Sequence, residues 1–402
     1  MERLRLLVLA STYPRWSGDP EPGFVHQLCR RLASTFDVVA LVPHATGAAQ
    51  QEVLDGVDVR RYRYAPARWE TLVNDGGIVN NLKRQPLKWL MVPGFLLMQM
   101  YATWRTIRRV RPDVVHAHWL VPQGLVVALL SVIDPRTPPF LVTSHGADLF
   151  ALRSLPMRLI KRFVASRAKA ATVVSAAMAT ELINLRVPPA KISVLSMGVD
   201  LSHLFTPDSS APRSRNEVLF VGRLVEKKGL RHLLSAMPMI LSACPDTVLS
   251  IVGFGPEEAA LREQVRSLGL QDQVKFKGPV TQSGLPALYR GAAVFVAPFV
   301  RAESGDQEGL GLVLVEALGC GCPAVVSDLP ATKEVLPGSS QPLRVTPADA
   351  EALGRAVIEL LAWGREPALR AIEDASGDLR ARFDWSNVSA AYADVIQGIA
   401  IR

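Results

Sequence analysis

Two carboxylates eight positions apart bracket a glycine-rich stretch in Glu308-Gly309-Leu310-Gly311-Leu312-Val313-Leu314-Val315-Glu316. A carboxylate accepts strong, directional charge-assisted hydrogen bonds, which suits the paired hydroxyls of a sugar or ribose. Gly309 and Gly311 allow a ligand to approach the backbone closely, and amides that open a helix lie at the positive end of its dipole. On this spacing Glu308 belongs to a loop and Glu316 lies about two turns inside the helix that follows. Glu316 sits among Val315, Ala317 and Leu318, which argues against a merely solvated role.

A second set occupies Val221-Gly222-Arg223-Leu224-Val225-Glu226-Lys227-Lys228-Gly229-Leu230. The run follows an apolar strand pattern and opens a helix. Arg223 and Lys228 then emerge at the carboxyl edge of a sheet, where open α/β sheets bind ligands. Two cations beside unpaired helix-start N–H groups suit a diphosphate. A solvated basic helix start is the alternative on spacing alone.

These residues must be positioned by alternating strands and helices. Short apolar runs at Leu4 to Leu9, Val38 to Val42, Val57 to Arg60, Val114 to Ala117, Phe140 to Thr143, Ala171 to Val174 and Ile192 to Leu195 alternate with helical patterns. A polar, proline-bearing linker covers about residues 202–215. The pattern restarts at Val218 to Val221, Val248 to Val252, Val274 to Phe276, Val294 to Ala297 and Ala324 to Ser327. This is the pattern of βα units with parallel sheets, hence of two doubly wound α/β domains in tandem. Phe383 to Ile401 is amphipathic, with Trp385, Val388, Tyr392 and Ile396 at helical spacing.

The 402 residues, 49% hydrophobic and 20% charged, suffice for two cores and exclude a collagen-like, coiled-coil or disordered chain. Four cysteines, with Cys320 and Cys322 in a C-x-C, make neither a disulfide framework nor a zinc knuckle, so a reducing cytoplasm is expected. The apolar run Leu6 to Ala10 is too short for a signal peptide. The runs Trp89 to Met98 and Gly124 to Ile133 fall short of the ~20 residues that span a bilayer.

The net charge of +8 is unevenly placed. Residues 1–205 hold 25 Lys and Arg against 14 Asp and Glu, whereas residues 206–402 hold 20 against 23. Such asymmetry suits an anionic membrane face or an acidic substrate. No nucleic-acid-binding signature accompanies it, so nucleic acid is not expected as a partner. Leu82 to Arg111 carries Lys83, Arg84, Lys88, Trp89, Phe95, Trp104, Arg105, Arg108, Arg109 and Arg111 around an apolar middle broken by Pro93-Gly94. That composition favours anionic headgroups, alongside the plain alternative of a helix packed on its sheet.

Metal ligation finds little support. Asp55 and Asp58 lack Asp-x-Asp spacing, and His116 and His118, on one face of a strand, have no third ligand, which favours a sheet-edge role.

Taken together, the chain resembles the retaining glycosyltransferases of family 4, which have the GT-B fold. Glu308 and Glu316 match that family's E-x7-E pair, and Gly222-Arg223 with Lys228-Gly229 match its companion segment. Supporting stretches are Asp113-Val114-Val115-His116-Ala117-His118-Trp119, Ser144-His145-Gly146-Ala147-Asp148, Met197-Gly198-Val199-Asp200, Gly253-Phe254-Gly255-Pro256 and Phe383-Asp384-Trp385.

The resemblance implies two Rossmann-like domains facing a cleft. The acceptor domain would be residues 1–203, joined by a crossover helix at 384–402, and the donor domain residues 204–383. It also implies a nucleotide-diphosphate sugar as donor substrate, a lipid-linked saccharide or polysaccharide as acceptor, and no metal or other cofactor. Arg223 and Lys228 would neutralise the diphosphate, Glu316 would hold the ribose and Glu308 the transferred sugar. Gly253, Gly255, Gly309, Leu310, Gly311 and Leu312 would complete the donor site. His145 would lie near the donor sugar, with Asp148 orienting its loop, and His118 and Asp148 on the acceptor side. Many members carry a Gly-Gly loop after the first strand; here Tyr13 to Phe24 forms a longer one. Gly23 is its best candidate for the backbone contact to phosphate, with Asp19 or Glu21 facing the acceptor. A nucleotide-sugar 2-epimerase of the same fold and a non-catalytic nucleotide-sugar-binding protein are the alternatives. Cytoplasmic placement, peripheral on the inner face of the plasma membrane, is the expected location.

Overall fold

Near-continuous apolar runs form strands buried on both faces, as parallel sheets require. In the computed structural model, which describes residues 3–19, 23–73, 77–150, 154–335, 343–363 and 376–400, these runs build two sheets. The first contains β1 (Arg5–Leu9), β2 (Asp37–Pro43), β3 (Gln51–Leu54), β4 (Val57–Tyr62), β5 (Val114–His118), β6 (Phe140–Ser144), β7 (Ala170–Val173) and β8 (Ile192–Val194). Its order is β3-β4-β2-β1-β5-β6-β7-β8, parallel except for the β3–β4 hairpin. The second contains β9 (Glu217–Val221), β10 (Val248–Val252), β11 (Val274–Gly278), β12 (Val294–Ala297), β13 (Ala324–Ser327) and β14 (Leu343–Val345). It runs β11-β10-β9-β12-β13-β14 and is parallel throughout.

Amphipathic helices cover these sheets. The helix Leu230–Ala243 buries Leu230, Leu233, Leu234, Met237 and Ile240, the stripe expected of a 3.6-residue period. With Phe220, Ile251, Val296 and Val357 it forms the core of the second sheet. The helix Phe24–Leu32 likewise turns Val25, Leu28, Cys29 and Leu32 inward.

Two strands lie outside the apolar runs. β3 alternates half-buried and exposed positions at a sheet edge, and β14 has three residues. The β3–β4 turn is Asp55-Gly56, both at positive φ (47° and 82°), a dipeptide suited to a tight hairpin. Three local expectations also change. The helix after Glu308 begins at Leu312, so Glu316 lies one turn inside it, not two. Lys228 ends a 3-10 turn, Glu226–Lys228, just before the helix Leu230–Ala243. β5 is interior to its sheet, between β1 and β6, so His116 and His118 are buried mid-sheet and have no sheet-edge role.

The chain divides into two units, residues 1–197 with 388–402, and residues 198–387. The breaks thus fall at 197/198 and 387/388 where the sequence suggested 203/204 and 383/384. Asp384 accounts for part of the shift, since it accepts from Leu201 N–H (3.1 Å) and the Ser202 hydroxyl (2.9 Å). Gly198 lies so close to Trp385 that a Cβ there would stand 2.5 Å from the indole. The helix Trp385–Ala400 continues into the first unit, where Tyr392 donates to Leu195 O (3.1 Å) and stacks on His116 at 5.7 Å.

Candidate active site

In the second unit, β9 and β12 are neighbours although they are not consecutive in the chain, and the strand order reverses between them. At such a point the loops leaving the carboxyl ends part and open a crevice. The loop after β9 carries Gly222 to Gly229, and the loop after β12 carries Pro298 to Gly311. The two candidate sets are therefore brought together. Lys228 Nζ stands 2.8 Å from Glu308 Oε2 and 4.5 Å from the centre of the Phe299 ring. Glu226 accepts from Glu303 N–H (2.8 Å), and Lys227 O accepts from Val300 N–H (2.9 Å). Lys227 Nζ reaches Asp306 at 3.3 Å and Gln307 O at 3.4 Å. Lys227 was not singled out in the sequence; its only signal was adjacency to Lys228. Arg223 is half-buried between the end of β9 and this turn.

The two glutamates ionise very differently. Burial pushes both upward, since a carboxylate loses hydration inside a protein. At Glu308 that effect is outweighed by Lys228, Lys227 and the Gly309 N–H, which together hold the carboxyl at about 2. At Glu316, only 7% exposed, burial wins and raises it to about 7. Tyr289 opposes the rise by donating its hydroxyl at 2.9 Å, and Lys228 opposes it through space. Lys228 thus acts on both members of the pair. At neutral pH the site holds one permanent carboxylate and one near its midpoint.

The glycines of the site have packing reasons of their own. A Cβ on Gly253 would stand 2.0 Å from Gly222 O, and one on Gly229 would stand 1.8 Å from Pro298 O. A Cβ on Gly255 would stand 2.3 Å from Leu224 O. Gly253 and Gly255 therefore let the loops after β9 and β10 cross, with Gly222 N–H donating to Val252 O (3.0 Å) and Leu224 N–H to Phe254 O (2.9 Å). Gly311 precedes the helix in a left-handed conformation. Gly309 and Leu310 are buried and Leu312 is half-buried, so the Leu310 side chain belongs to the interior.

The first unit has its own reversal, between β1 and β5. His118 ends β5, and His145 follows Ser144 at the end of β6. The two imidazoles stack at 5.2 Å and 9°, with His118 Nδ1 and His145 Nε2 2.9 Å apart. Phe24 (4.9 Å) and Trp119 (5.1 Å) enclose His145. This burial lowers His145 to about 3, so it is neutral at physiological pH. Among the described residues, nothing hydrogen-bonds its Nδ1.

Asp148 is buried and spends its oxygens on Leu120 N–H (2.7 Å) and the Ser144 hydroxyl (2.8 Å). Asp19, its side chain fully covered, accepts from Arg15 N–H, Nε and Nη2 at 2.7–2.8 Å. Both carboxylates tie loops together, and His118 is fully buried. Gly23 precedes the helix Phe24–Leu32, and Glu21 lies outside the described residues. One further network carries no signal in the sequence. Tyr13 hydroxyl meets His26 Nδ1 at 2.8 Å and His26 Nε2 meets Asp55 at 2.8 Å, anchoring the long first loop to the β3–β4 turn. Among the described residues no three His, Cys, Asp or Glu side chains form a metal cluster.

Comparison with known proteins bears on the family and the fold. Residues 24–203 match the Glycosyltransferase Family 4 model, and residues 215–362 match the Glycosyl transferases group 1 model. The chain is 28% identical over 416 residues to a glycogen synthase of Mycobacterium tuberculosis, covering 98% of this chain and 94% of that one. It is 30% identical over 267 residues to a GDP-mannose-dependent alpha-(1-6)-phosphatidylinositol monomannoside mannosyltransferase of Mycolicibacterium smegmatis, covering 64% and 69%. Among solved structures, sucrose-phosphate synthase from Thermosynechococcus elongatus superimposes with a TM-score of 0.77 at 21% identity over 99% of both chains. The fold is thus the two-domain, Rossmann-like GT-B fold. This chain is a transferase that belongs to glycosyltransferase family 4.

Proposed function

We propose that the protein transfers a hexosyl group from a nucleoside diphosphate sugar to a lipid-linked saccharide or polysaccharide acceptor, with retention at the anomeric carbon and without a metal. The Lys228–Glu308 pair at the crevice of the second unit carries the reading. A cation held beside a carboxylate, in a turn next to a helix start, suits a diphosphate whose negative charge grows as it leaves. Arg223 supplies the second positive charge, and together they do the electrostatic work a metal would otherwise do. Glu308, fixed as an anion, faces the transferred sugar, and Glu316 accepts from the ribose hydroxyls. Gly23, Gly253, Gly255, Gly309 and Gly311 bring backbone to the donor, and His145 offers its Nδ1 to the donor sugar. The mannosyl- and glucosyl-transferring relatives support a hexose donor and a role in cell-surface glycan synthesis. No observation favours the 2-epimerase or the non-catalytic alternative.

The acceptor is proposed to be met at the cytoplasmic face of the plasma membrane, on an anionic surface. Leu87 and Leu90 are four-fifths exposed and Trp89 is 60% exposed in the turn Pro86–Leu90. Leu97, Tyr101 and Trp104 continue this exposed apolar band along the helix Met91–Val110. Phe95, on the same helix, is buried and so cannot meet a headgroup. Residues 77–111 hold seven Lys and Arg and no Asp or Glu. No described helix is long and apolar enough to cross a membrane, and the Lys83 side chain lies outside the described residues.

The test is a panel of nucleotide sugars scored by thermal shift, because a donor that binds only the folded state raises its apparent stability. The selected donor is then used for transfer with and without a chelator, and the product anomer is read by NMR. No stabilising donor, an inverted product or activity lost to the chelator would each remove the corresponding part of the proposal.

A further inference from the structure

His118 is the buried polar group whose geometry reaches furthest. It is wholly inaccessible, its Nδ1 lies 2.9 Å from His145 Nε2, and its Nε2 has no hydrogen-bond partner among the described residues. A second imidazole beside it, His116, stands 4.1 Å away, with its own Nε2 bonded to the Thr143 hydroxyl at 2.7 Å. All three imidazoles are neutral by burial, so each carries a single N–H.

Only one proton can lie in the His118–His145 bond, and two arrangements supply it. If His145 Nε2–H donates, His118 accepts at Nδ1 and must carry its hydrogen on Nε2, leaving an N–H buried with no acceptor. If His118 Nδ1–H donates, the orphan atom on Nε2 is a lone pair. Orphaned buried donors are the rarer and costlier outcome. The second arrangement also fixes His145, which then accepts at Nε2 and carries its own hydrogen on Nδ1, the nitrogen with no hydrogen-bond partner among the described residues.

We infer that His118 is a positioning residue that donates Nδ1–H to His145 Nε2 and so holds His145 in the Nδ1–H tautomer, presenting a hydrogen-bond donor to an oxygen of the donor sugar. Phe24 and Trp119 pack on the His145 ring, and His118 decides which end of it is the donor. The sugar-facing part rests on the reading of His145 given under the proposed function; the tautomer itself does not.

The experiment combines 15N NMR of histidine-labelled protein with steady-state kinetics on the donor found in the nucleotide-sugar panel. Wild-type His145 is expected to show a protonated Nδ1 and an unprotonated, hydrogen-bonded Nε2. His118→Ala should mix the two tautomers of His145 and lower kcat about tenfold, the loss typical when the group orienting an imidazole is removed, while KM for the donor stays within about twofold. His118→Asn, whose amide can donate from nearly the position of Nδ1, should restore kcat to within about threefold of wild type and return the tautomer. A wild-type His145 protonated on Nε2 overturns the inference. So does a His118→Ala enzyme with unchanged kcat beside an inactive His145→Ala enzyme. If His145→Ala itself keeps full kcat, the sugar-facing role of His145 falls, and the NMR result still decides the tautomer.

Discussion

Tyr289 donates its hydroxyl to Glu316 Oε2 across 2.9 Å, and both side chains are buried beneath the helix Leu312–Gly319. The bond couples a helix carboxyl to the aromatic core around Phe205 and Phe295. It also limits how far burial can suppress ionisation, because the phenol stabilises the carboxylate form.

The pH dependence of stability follows from that balance. Glu316 ionises near 4.5 in an exposed chain and at about 7 when folded, so the folded state binds the proton more tightly. Its contribution is fully present below about pH 4.5 and is lost as pH rises through 7, on the order of 3 kcal/mol in all. Glu316→Gln cannot ionise and escapes this loss. The Tm of Glu316→Gln relative to wild type should therefore climb between about pH 5 and pH 8. A flat difference would mean that Glu316 titrates like an exposed carboxyl.

Removing the phenol should act in the opposite direction on the carboxylate. Tyr289→Phe keeps the ring and deletes the donor, so above pH 7 it leaves an ionised Glu316 without that bond. A loss of about 1–3 kcal/mol in denaturant unfolding is expected there, shrinking as the pH is lowered. An equal loss at every pH would point to packing alone.

Lys228 and Glu316 should separate kinetically. Charge on a departing diphosphate grows in the transition state, whereas ribose contacts are alike before and during reaction. Lys228→Ala should lower kcat on the order of 10²-fold, and Glu316→Ala should mainly raise KM for the donor. A Lys228→Ala enzyme with kcat within about twofold of wild type would remove the phosphate role.

Gly253 should tolerate no side chain. Its φ is +134° and an added Cβ would stand 2.0 Å from Gly222 O, so Gly253→Ala must push apart the loops after β9 and β10. The expected cost is about 2 kcal/mol or more, with weakened nucleotide binding, read by unfolding and by titration with the nucleotide. By contrast, Gly269→Ala has open space around its Cβ, so although its φ of +68° strains an alanine and costs some stability, it should leave nucleotide binding unchanged.

Vesicle sedimentation tests the membrane reading. Anionic vesicles should bind the protein and neutral ones should bind it weakly, with partial release by salt, because headgroup attraction is screened while apolar burial is not. Trp89→Ser with Leu90→Ser should lower the salt-resistant fraction by about tenfold or more, each side chain burying roughly 1.5–3 kcal/mol of apolar surface. Since both are exposed, folding should be unaffected. Equal binding to neutral and anionic vesicles, or none to either, would favour a soluble acceptor.

Much of the fold was legible because parallel strands, buried on both faces, leave unbroken apolar runs such as Leu6 to Leu9 and Val294 to Ala297. β3 was not, because an edge strand with half-exposed Gln51 to Leu54 has no such run, although Asp55-Gly56 marked its turn. The domain breaks moved because Gly198 and Asp384 are bound by contacts more than 180 residues apart in the chain. No local pattern reports such distances.

Within the candidate site, spacing alone determined that Glu308 precedes a helix, that Glu316 lies inside it, and that Arg223 and Lys228 follow a strand. Those are facts of periodicity, which operates over a few residues. Only the tertiary structure decided that Lys228 meets Glu308, eighty positions away, because that depends on β9 lying beside β12. It alone assigned Asp19 and Asp148 to internal bonds, since a carboxylate looks the same in sequence whether its partner is Arg15 or a ligand. And it alone drove the two glutamates apart, to about 2 and about 7, because ionisation follows burial and nearby charge, neither of which is a property of neighbours in the chain.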